Sequence, residues 1–185
     1  MAVTANRSYP YPIAGDSPAG HTQIQALATA VDVDMANVDR WLSGYMAADI
    51  TVAASTTYVN ATGLSFAVAA NHRYEWKAVL FYNAAAAGKL KFGWTAPALA
   101  TMTYGLIGLD TTVTAITGIT NFGYLTAVNG VLGAPTAAAN CFGVAVGTLQ
   151  TGANAGTFQI QFAQNAASGS TILRQNSTLI GRRLT

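Results

Sequence analysis

The sequence predicts a mainly β protein: an antiparallel, jelly-roll-type β-sandwich preceded by an extended N-terminal arm and one α-helix. Beyond its N-terminal quarter, apolar residues alternate with small or polar ones along several segments, as at Leu64, Phe66 and Val68. This period of two is typical of strands that turn one face to a core. Turn-forming stretches such as residues 60–63 and 151–156 separate the segments, with no helical pattern between them.

The extended arm is predicted over residues 1–20. Prolines bias their neighbours away from helix toward extended conformations, and this stretch has too few apolar residues for a core of its own. Aromatic rings beside prolines suit either a floppy terminus or a strap that orders on a partner surface. The candidate docking residues of this arm are Tyr9, Pro10, Tyr11, Pro12 and Asp16.

A helix is predicted over residues 21–48, with a possible short coiled coil. Thr22 and Gln25 have the spacing of a capping box, and Ser43-Gly44 offers a stop. Apolar residues then recur at steps of three and four, with one polar interruption of the kind that fixes register in a coiled coil. The alternative is an amphipathic helix lying on its own domain. The candidate oligomer seam is Ile24, Leu27, Val31, Asp34, Val38 and Trp41.

The β-sandwich domain is predicted over residues 49–185. We expect the apolar set of each alternating segment to face the core, and the polar residues between them, such as Gln159 and Gln161, to suit uncharged subunit contacts or a solvated surface. The apolar sets are Leu64, Phe66 and Val68; Tyr74, Trp76, Ala78, Leu80 and Tyr82; Leu90, Phe92 and Trp94; Phe142, Val144 and Val146; and Phe158, Ile160 and Phe162.

The composition favours self-association. Charged residues make up 9% of the chain and hydrophobic residues 51%, whereas about 25% charged residues is usual. A surface that is poor in charge is suited to contact with other subunits. A disordered chain combines low hydrophobicity with high net charge, and this chain has neither. Its net charge of +2 is also too small for a nucleic-acid partner.

The sequence contains no recognisable catalytic, cofactor or metal site. His21 and His72 are its two histidines and lie in no catalytic motif, and Cys141 is its only cysteine, which we expect to be a buried apolar thiol. The remaining carboxylates of the β region are Asp110, expected in a turn, and Glu75, which shares a strand face with basic neighbours. A glycan-cleaving enzyme, which needs paired carboxylates, is therefore disfavoured.

No membrane segment or secretory signal is expected. The uncharged stretch 111–173 is broken throughout by Gly, Asn, Thr and Gln, so it indicates strands and turns and not a spanning helix. The N-terminal residues contain no apolar core of a signal peptide, which predicts synthesis in the cytoplasm of the producing cell without a signal peptide.

Two parts of the chain resemble small virion proteins of tailed phages that infect actinobacteria. Residues 9–18, YPYPIAGDSP, and 21–32, HTQIQALATAVD, are similar to their Tyr-Pro arm and "I-x-A-L-A-x-x-V-D" helix. Residues 158–165, FQIQFAQN, and the stretch from 170 to the basic tail IGRRL are similar to their last strands. The Ala- and Thr-rich middle departs from the pattern.

The resemblance implies a trimeric jelly roll similar to tumour-necrosis-factor-like domains. The expected function is that of a capsid decoration protein, anchored by its arm to the major capsid protein or another virion protein. The alternative is a minor tail or tail-fibre protein that binds a host cell-surface glycan. The expected location is the virion, on the capsid surface in preference to the tail, with no nucleic-acid or membrane partner.

Overall fold

The structure is a computed structural model that describes residues 2–3, 10–11, 20–38, 41–109, 125–127, 130–134 and 140–184. The chain divides into two compact units, Met1–Arg40 and Trp41–Thr185. The boundary lies eight residues before the expected start of the β domain, because the β domain begins with a strand that the sequence suggested was helical.

The N-terminal unit contains a short strand pair and one helix. Strand β1 (Ala2–Val3) pairs antiparallel with β2 (Pro10–Tyr11). Helix α1 spans Gly20–Val38, and within it the Thr29 hydroxyl donates to the Gln25 carbonyl, 2.9 Å away. One helix after an N-terminal segment is the order of elements that the sequence predicts.

The helix is shorter than predicted, and Trp41 does not belong to it. The prediction placed residues 21–48 in the helix, whereas β3 occupies Trp41–Tyr45. Gly44, interpreted as a helix stop, lies where β3 crosses the backbone of residue 65. A Cβ at Gly44 would lie 3.0 Å from the Ser65 carbonyl oxygen. The glycine therefore permits a close strand crossing, and does not cap a helix.

The second unit is built of antiparallel strands. Their bounds are β3 (Trp41–Tyr45), β4 (Ile50–Ala53), β5 (Val59–Val68), β6 (Arg73–Ala84), β7 (Leu90–Thr95), β8 (Thr101–Ile107), β9 (Gly130–Leu132), β10 (Asn140–Gln150), β11 (Gly156–Ala163), β12 (Ser170–Leu173) and β13 (Thr178–Arg183).

These strands form two sheets of a sandwich, which confirms the predicted fold class. The large, 7-stranded sheet has the order β3-β13-β6-β10-β8, and β12 joins it by pairing with both β4 and β6. The small, 4-stranded sheet has the order β5-β11-β7-β9. Strand β6 is the organising strand of the large sheet, since β10 pairs along one side of it and β12 and β13 along the other.

Aromatic rings from both sheets fill the space between them. Trp76 of β6 is 2% exposed, and its ring centroid lies 5.2 Å from that of Phe158 and 6.3 Å from that of Phe92 in the opposite sheet. Phe92 in turn lies 5.3 Å from Tyr104. Such tilted and stacked contacts add about 0.5–1.5 kcal/mol per pair to the burial of the rings.

Glycines on the two strands that flank Trp76 leave room for rings of the core. Gly147 of β10 and Gly181 of β13 are both in register with Trp76. A Cβ at Gly147 would lie 2.9 Å from Trp76 Cζ2 and 2.7 Å from Tyr104 Cβ, while one at Gly181 would lie 2.5 Å from Phe66 Cζ. Gly147 therefore makes room for Trp76 and Tyr104, and Gly181 makes room for Phe66.

The expected turn at residues 60–63 is instead a bulge within β5. The register with β11 shifts between Gln159 and Gln161, and Gly63 adopts a φ of +94°. The side-chain amide of Gln159 donates to the carbonyls of Ala61 and Leu64, at 3.0 Å each. Gln159 therefore satisfies backbone groups that the bulge leaves without ladder partners.

The role of Gly147 predicts the effect of adding one methyl group. Gly147→Ala should lower the free energy of unfolding by about 1–3 kcal/mol through overpacking against Tyr104 and Trp76, measured by urea denaturation. Thr148→Val is the matched control, because this exposed neighbour points to the other side of β10, and it should change stability by less than about 0.5 kcal/mol. Equal losses for the two variants would contradict the packing argument.

Candidate functional site

The face of the large sheet that points away from the small sheet carries an unusual set of side chains. We call it the outer face and define it by the outward residues of five strands. Across the sheet, one row reads Tyr45, Thr178, Val79, Val144, Ile107; the next reads Ser43, Ile180, Lys77, Val146, Gly105; and the third reads Trp41, Arg182, Glu75, Thr148, Thr103. Phe81 and Phe142 form a further pair on one side of these rows.

Strand β10 is turned the opposite way from the prediction. Phe142 is 58% exposed and Val146 is 38% exposed, whereas Cys141 and Ala145 are buried. Gly143 also faces inward, where a Cβ would collide with the Leu132 side chain. The expectation that Phe142, Val144 and Val146 face the core is therefore wrong, because small residues are what the packed interior admits at this strand.

The exposed large hydrophobic residues are concentrated on two surfaces. Among the described residues, one group lies on α1 and a second lies on the outer face, and Leu99 in the β7–β8 loop is the exception. Patches of this kind mark interaction surfaces in soluble proteins. The helix group is Ile24, Leu27, Val31, Val33 and Met35, and the outer-face group is Trp41, Tyr45, Phe81, Phe142, Val146 and Ile180.

A groove of about 800 Å³ lies at the phenylalanine end of the outer face. We call it the Asp49 groove. Phe81, Ile107 and Phe142 contribute its apolar wall, and Asp49 and Arg174 contribute its polar rim. Its remaining lining residues are Tyr82, Gly108, Leu109, Asn140, Cys141 and Gln175.

The polar groups at this rim satisfy one another. Arg174 Nη1 donates to Asp49 Oδ2 at 2.7 Å, and the Gln175 backbone N–H donates to Asp49 Oδ1 at 2.7 Å. Arg174 Nη2 also donates to Asn140 Oδ1 at 3.3 Å. The backbone hydrogen bond from Gln175, followed by the one from Arg174, holds the pKa of Asp49 below its ordinary value of 3.8.

A second groove, of about 660 Å³, lies at the charged end of the outer face. We call it the Arg182 groove. Arg182 Nη2 lies 3.0 Å from Glu75 Oε2, and its guanidinium carbon lies 5.7 Å from the centroid of the Trp41 ring. Glu75, expected to pair with basic residues on its own strand, pairs across strands instead. Arg182 therefore links β13 with β6 and covers part of the exposed Trp41 ring.

Cys141, the one cysteine of the sequence, lines the Asp49 groove as a buried thiol, as predicted. Burial raises the pKa of this thiol, which keeps it protonated and unreactive near neutral pH. The adjacent Tyr82 hydroxyl donates to the Gly133 carbonyl at 2.6 Å, and burial, followed by proximity to Cys141, raises its pKa as well. Both groups are therefore neutral parts of the groove.

The predicted docking and seam residues are only partly described. Tyr9, Pro12 and Asp16 lie outside the described residues, while Pro10 and Tyr11 form β2. On α1, Ile24 is 70% exposed, Leu27 is 41% exposed and Val31 is 37% exposed. Asp34 and Val38 belong to the helix backbone, and Trp41 lies in β3. The helix part of the seam remains a prediction, whereas Trp41 belongs to the outer face.

The described residues show no cluster of three or more His, Cys, Asp or Glu side chains suited to hold a metal ion. His72 lies in the β5–β6 turn, where its Nδ1 is 2.6 Å from the Ala70 carbonyl oxygen. The side chain of His21 and all of Asp110 lie outside the described residues. In the part of the chain that is described, no helix has both the length and the apolarity to span a membrane.

The sequence matches no family model. It also matches no curated protein. Among solved structures, it is similar to a chain of the infectious bursal disease virus Gt strain, with 14% identity over 79% of this chain and 38% of that chain, at a TM-score of 0.21. A chain of the infectious bursal disease virus VP2 subviral particle is 9% identical over 78% of this chain and 41% of that chain, at a TM-score of 0.21.

This chain spans about two fifths of the length of those viral chains. At such TM-scores the likeness carries no argument about function, which must rest on the chain's own surfaces.

The hydrogen bonds to Asp49 predict a pH-dependent stability. Because its pKa is lower in the folded than in the unfolded protein, the unfolded state binds more protons in the window just below 3.8. The stabilisation is complete above that pH and is lost as the pH falls through the folded pKa. The thermal unfolding midpoint of the native protein should therefore fall more steeply below pH 3.8 than that of Asp49→Asn, measured by calorimetry. Parallel curves would refute the assignment.

Proposed function

We propose that this chain is a non-enzymatic structural subunit of a phage virion, specifically a homotrimeric capsid decoration protein anchored by its N-terminal arm. The observation that carries the proposal is the concentration of exposed apolar side chains on α1 and the outer face in a chain with 9% charged residues. Surfaces of that kind are stable in water when they are covered by other subunits. Decoration of a particle by many joined arms also converts weak single contacts into lasting attachment.

The state of the carboxylates supports a non-enzymatic role. Glycoside cleavage needs a pair of carboxylates free to act as acid and base or nucleophile. Of the β-domain acids that are described, Asp49 is held by Arg174 and the Gln175 backbone, and Glu75 is held by Arg182. Each is an exposed ion pair at an opposite end of the outer face, so the two do not converge on one substrate.

A tail-fibre or minor tail protein that binds a host glycan is the second candidate. The observation that favours it is the Asp49 groove, where the exposed rings of Phe81 and Phe142 lie beside Asn140, Asp49 and Arg174. Rings and planar polar groups are what sugars contact. Because these polar groups already bond to one another, the groove supports glycan binding less well than it supports a protein contact.

The role of the arm can be tested by deletion. Removal of residues 1–20 leaves α1 and the β domain, so the truncated protein should fold and assemble but no longer attach to phage particles lacking their own copies. Attachment is measured by co-sedimentation with such particles, with the full chain as control. Decoration by the truncated protein would show that another surface docks.

Copy number separates the two candidates. A decoration protein should be present in hundreds of copies per virion and a tail protein in a handful, because a shell repeats its lattice site many times. Quantitative mass spectrometry of purified virions against the major capsid protein measures this ratio. A handful of copies would exclude the decoration role and leave the tail role.

A further inference from the structure

We propose that the outer face is the surface on which copies of this chain bury one another, with Phe81 and Phe142 inside the contact. This inference rests on the proposed self-assembly and deepens it, because the sequence alone assigned the oligomer contact to α1. It concerns the β domain, whose sheet places these residues side by side.

The apolar surface of the outer face is continuous across β6 and β10. Phe81 and Phe142 are directly opposite each other on β6 and β10, and they are 42% and 58% exposed. Two residues further along the same strands, Val79 lies opposite Val144. Aromatic and β-branched neighbours at this spacing form one connected patch, which is the composition of the centre of a subunit interface.

The charges at both ends of this face are paired. Burying an isolated charge costs several kcal/mol, whereas a charge that keeps a hydrogen-bonded partner costs less to cover. At one end Asp49 accepts from Arg174 at 2.7 Å, and at the other end Glu75 accepts from Arg182 at 3.0 Å. Lys77 lies in register between Val146 and Ile180, where the methylene groups of a lysine can extend an apolar surface.

The area of the outer face follows from the spacing and length of its strands. The path β3-β13-β6-β10-β8 crosses five strands, which is about 19 Å at about 4.8 Å per step, and the outward residues of β6 from Arg73 to Phe81 extend about 26 Å. The outline is therefore about 500 Å², and protruding side chains raise the accessible area above it. A stable interface buries about 800 Å² per partner, so the outer face supplies the larger part of the area that contact with a second copy needs.

The occupant is a second copy of this chain and not a glycan. The face is broad and carries both signs of charge, so acidic groups of one copy can lie opposite basic groups of another. A sugar would require free hydrogen-bonding groups, whereas Asp49, Arg174 and Asn140 bond to one another at 2.7–3.3 Å.

The test places one charge on the apolar patch of the outer face and another at a matched site elsewhere. Phe142→Glu should raise the dissociation constant of the oligomer by about 100-fold or more, because the carboxylate is buried without a partner. Leu99→Glu is the control, since Leu99 is 77% exposed but lies in the β7–β8 loop away from the outer face. Native mass spectrometry at micromolar concentration measures the assembly of the full-length native protein and both variants.

The inference is supported if the native protein and the Leu99→Glu variant are trimers while the Phe142→Glu variant is a monomer. Three equal trimers would overturn it while leaving self-assembly intact, and would return the contact to α1. Three monomers would overturn self-assembly itself. If Phe142→Glu loses polysaccharide binding but keeps the oligomeric state of the native protein, the occupant of the outer face is a glycan. If circular dichroism shows that Phe142→Glu does not fold, the same measurement is made on Val146→Glu, whose residue lies on the same face and is 38% exposed.

Discussion

The accommodation of one large ring governs the rest of the β domain. Trp76 occupies the middle of β6, and the two strands beside it carry Gly147 and Gly181 at the matching positions. The ring is retained for its volume, since among the described residues its buried Nε1 has no hydrogen-bond partner, at a cost of about 1–3 kcal/mol. Because the inner side of β10 is small at Gly143 and Gly147, where Leu132 and Trp76 pack, the bulky Phe142, Val144 and Val146 of this stretch lie on the outer side. The candidate assembly surface therefore follows from how the core is filled.

Period-two alternation was sufficient to predict the sheet, but not which side of every strand is buried. For β5, β6 and β11 the apolar set is the buried set, as predicted. On β10 the inner positions from 141 to 147 are Cys141, Gly143, Ala145 and Gly147, whose smallness makes the outward Phe142, Val144 and Val146 look like the core set. The register of Gly147 with Trp76 and the packing of Leu132 against Gly143 show the reversal. The signal available in the sequence was the regular placement of small residues between the apolar ones.

Local signals were also ambiguous wherever long-range contacts decide the conformation. Gly44 and Gly63 suggested a helix stop and a turn, but both lie where β3 and β5 approach closely, a contact between segments that sequence patterns do not connect. Gln159 looked like a surface residue and instead bonds the carbonyls of the bulge in β5. The ion pairs of Asp49 and Glu75 join residues more than a hundred positions apart. The arm and the helix surface, in contrast, rest on local patterns and remain predictions.

The strand order determines when the large sheet can be completed during synthesis of the chain. Strand β3, at the start of the β domain, pairs with β13 among the described strands, and β13 inserts between β3 and β6. During synthesis, part of one edge of β6 stays unpaired until residues 178–183 leave the ribosome. Pairings of such long sequence separation form slowly. Nascent chains are exposed to mispairing during that interval. Completion of the sheet is thus the step that separates translation from incorporation into any larger assembly.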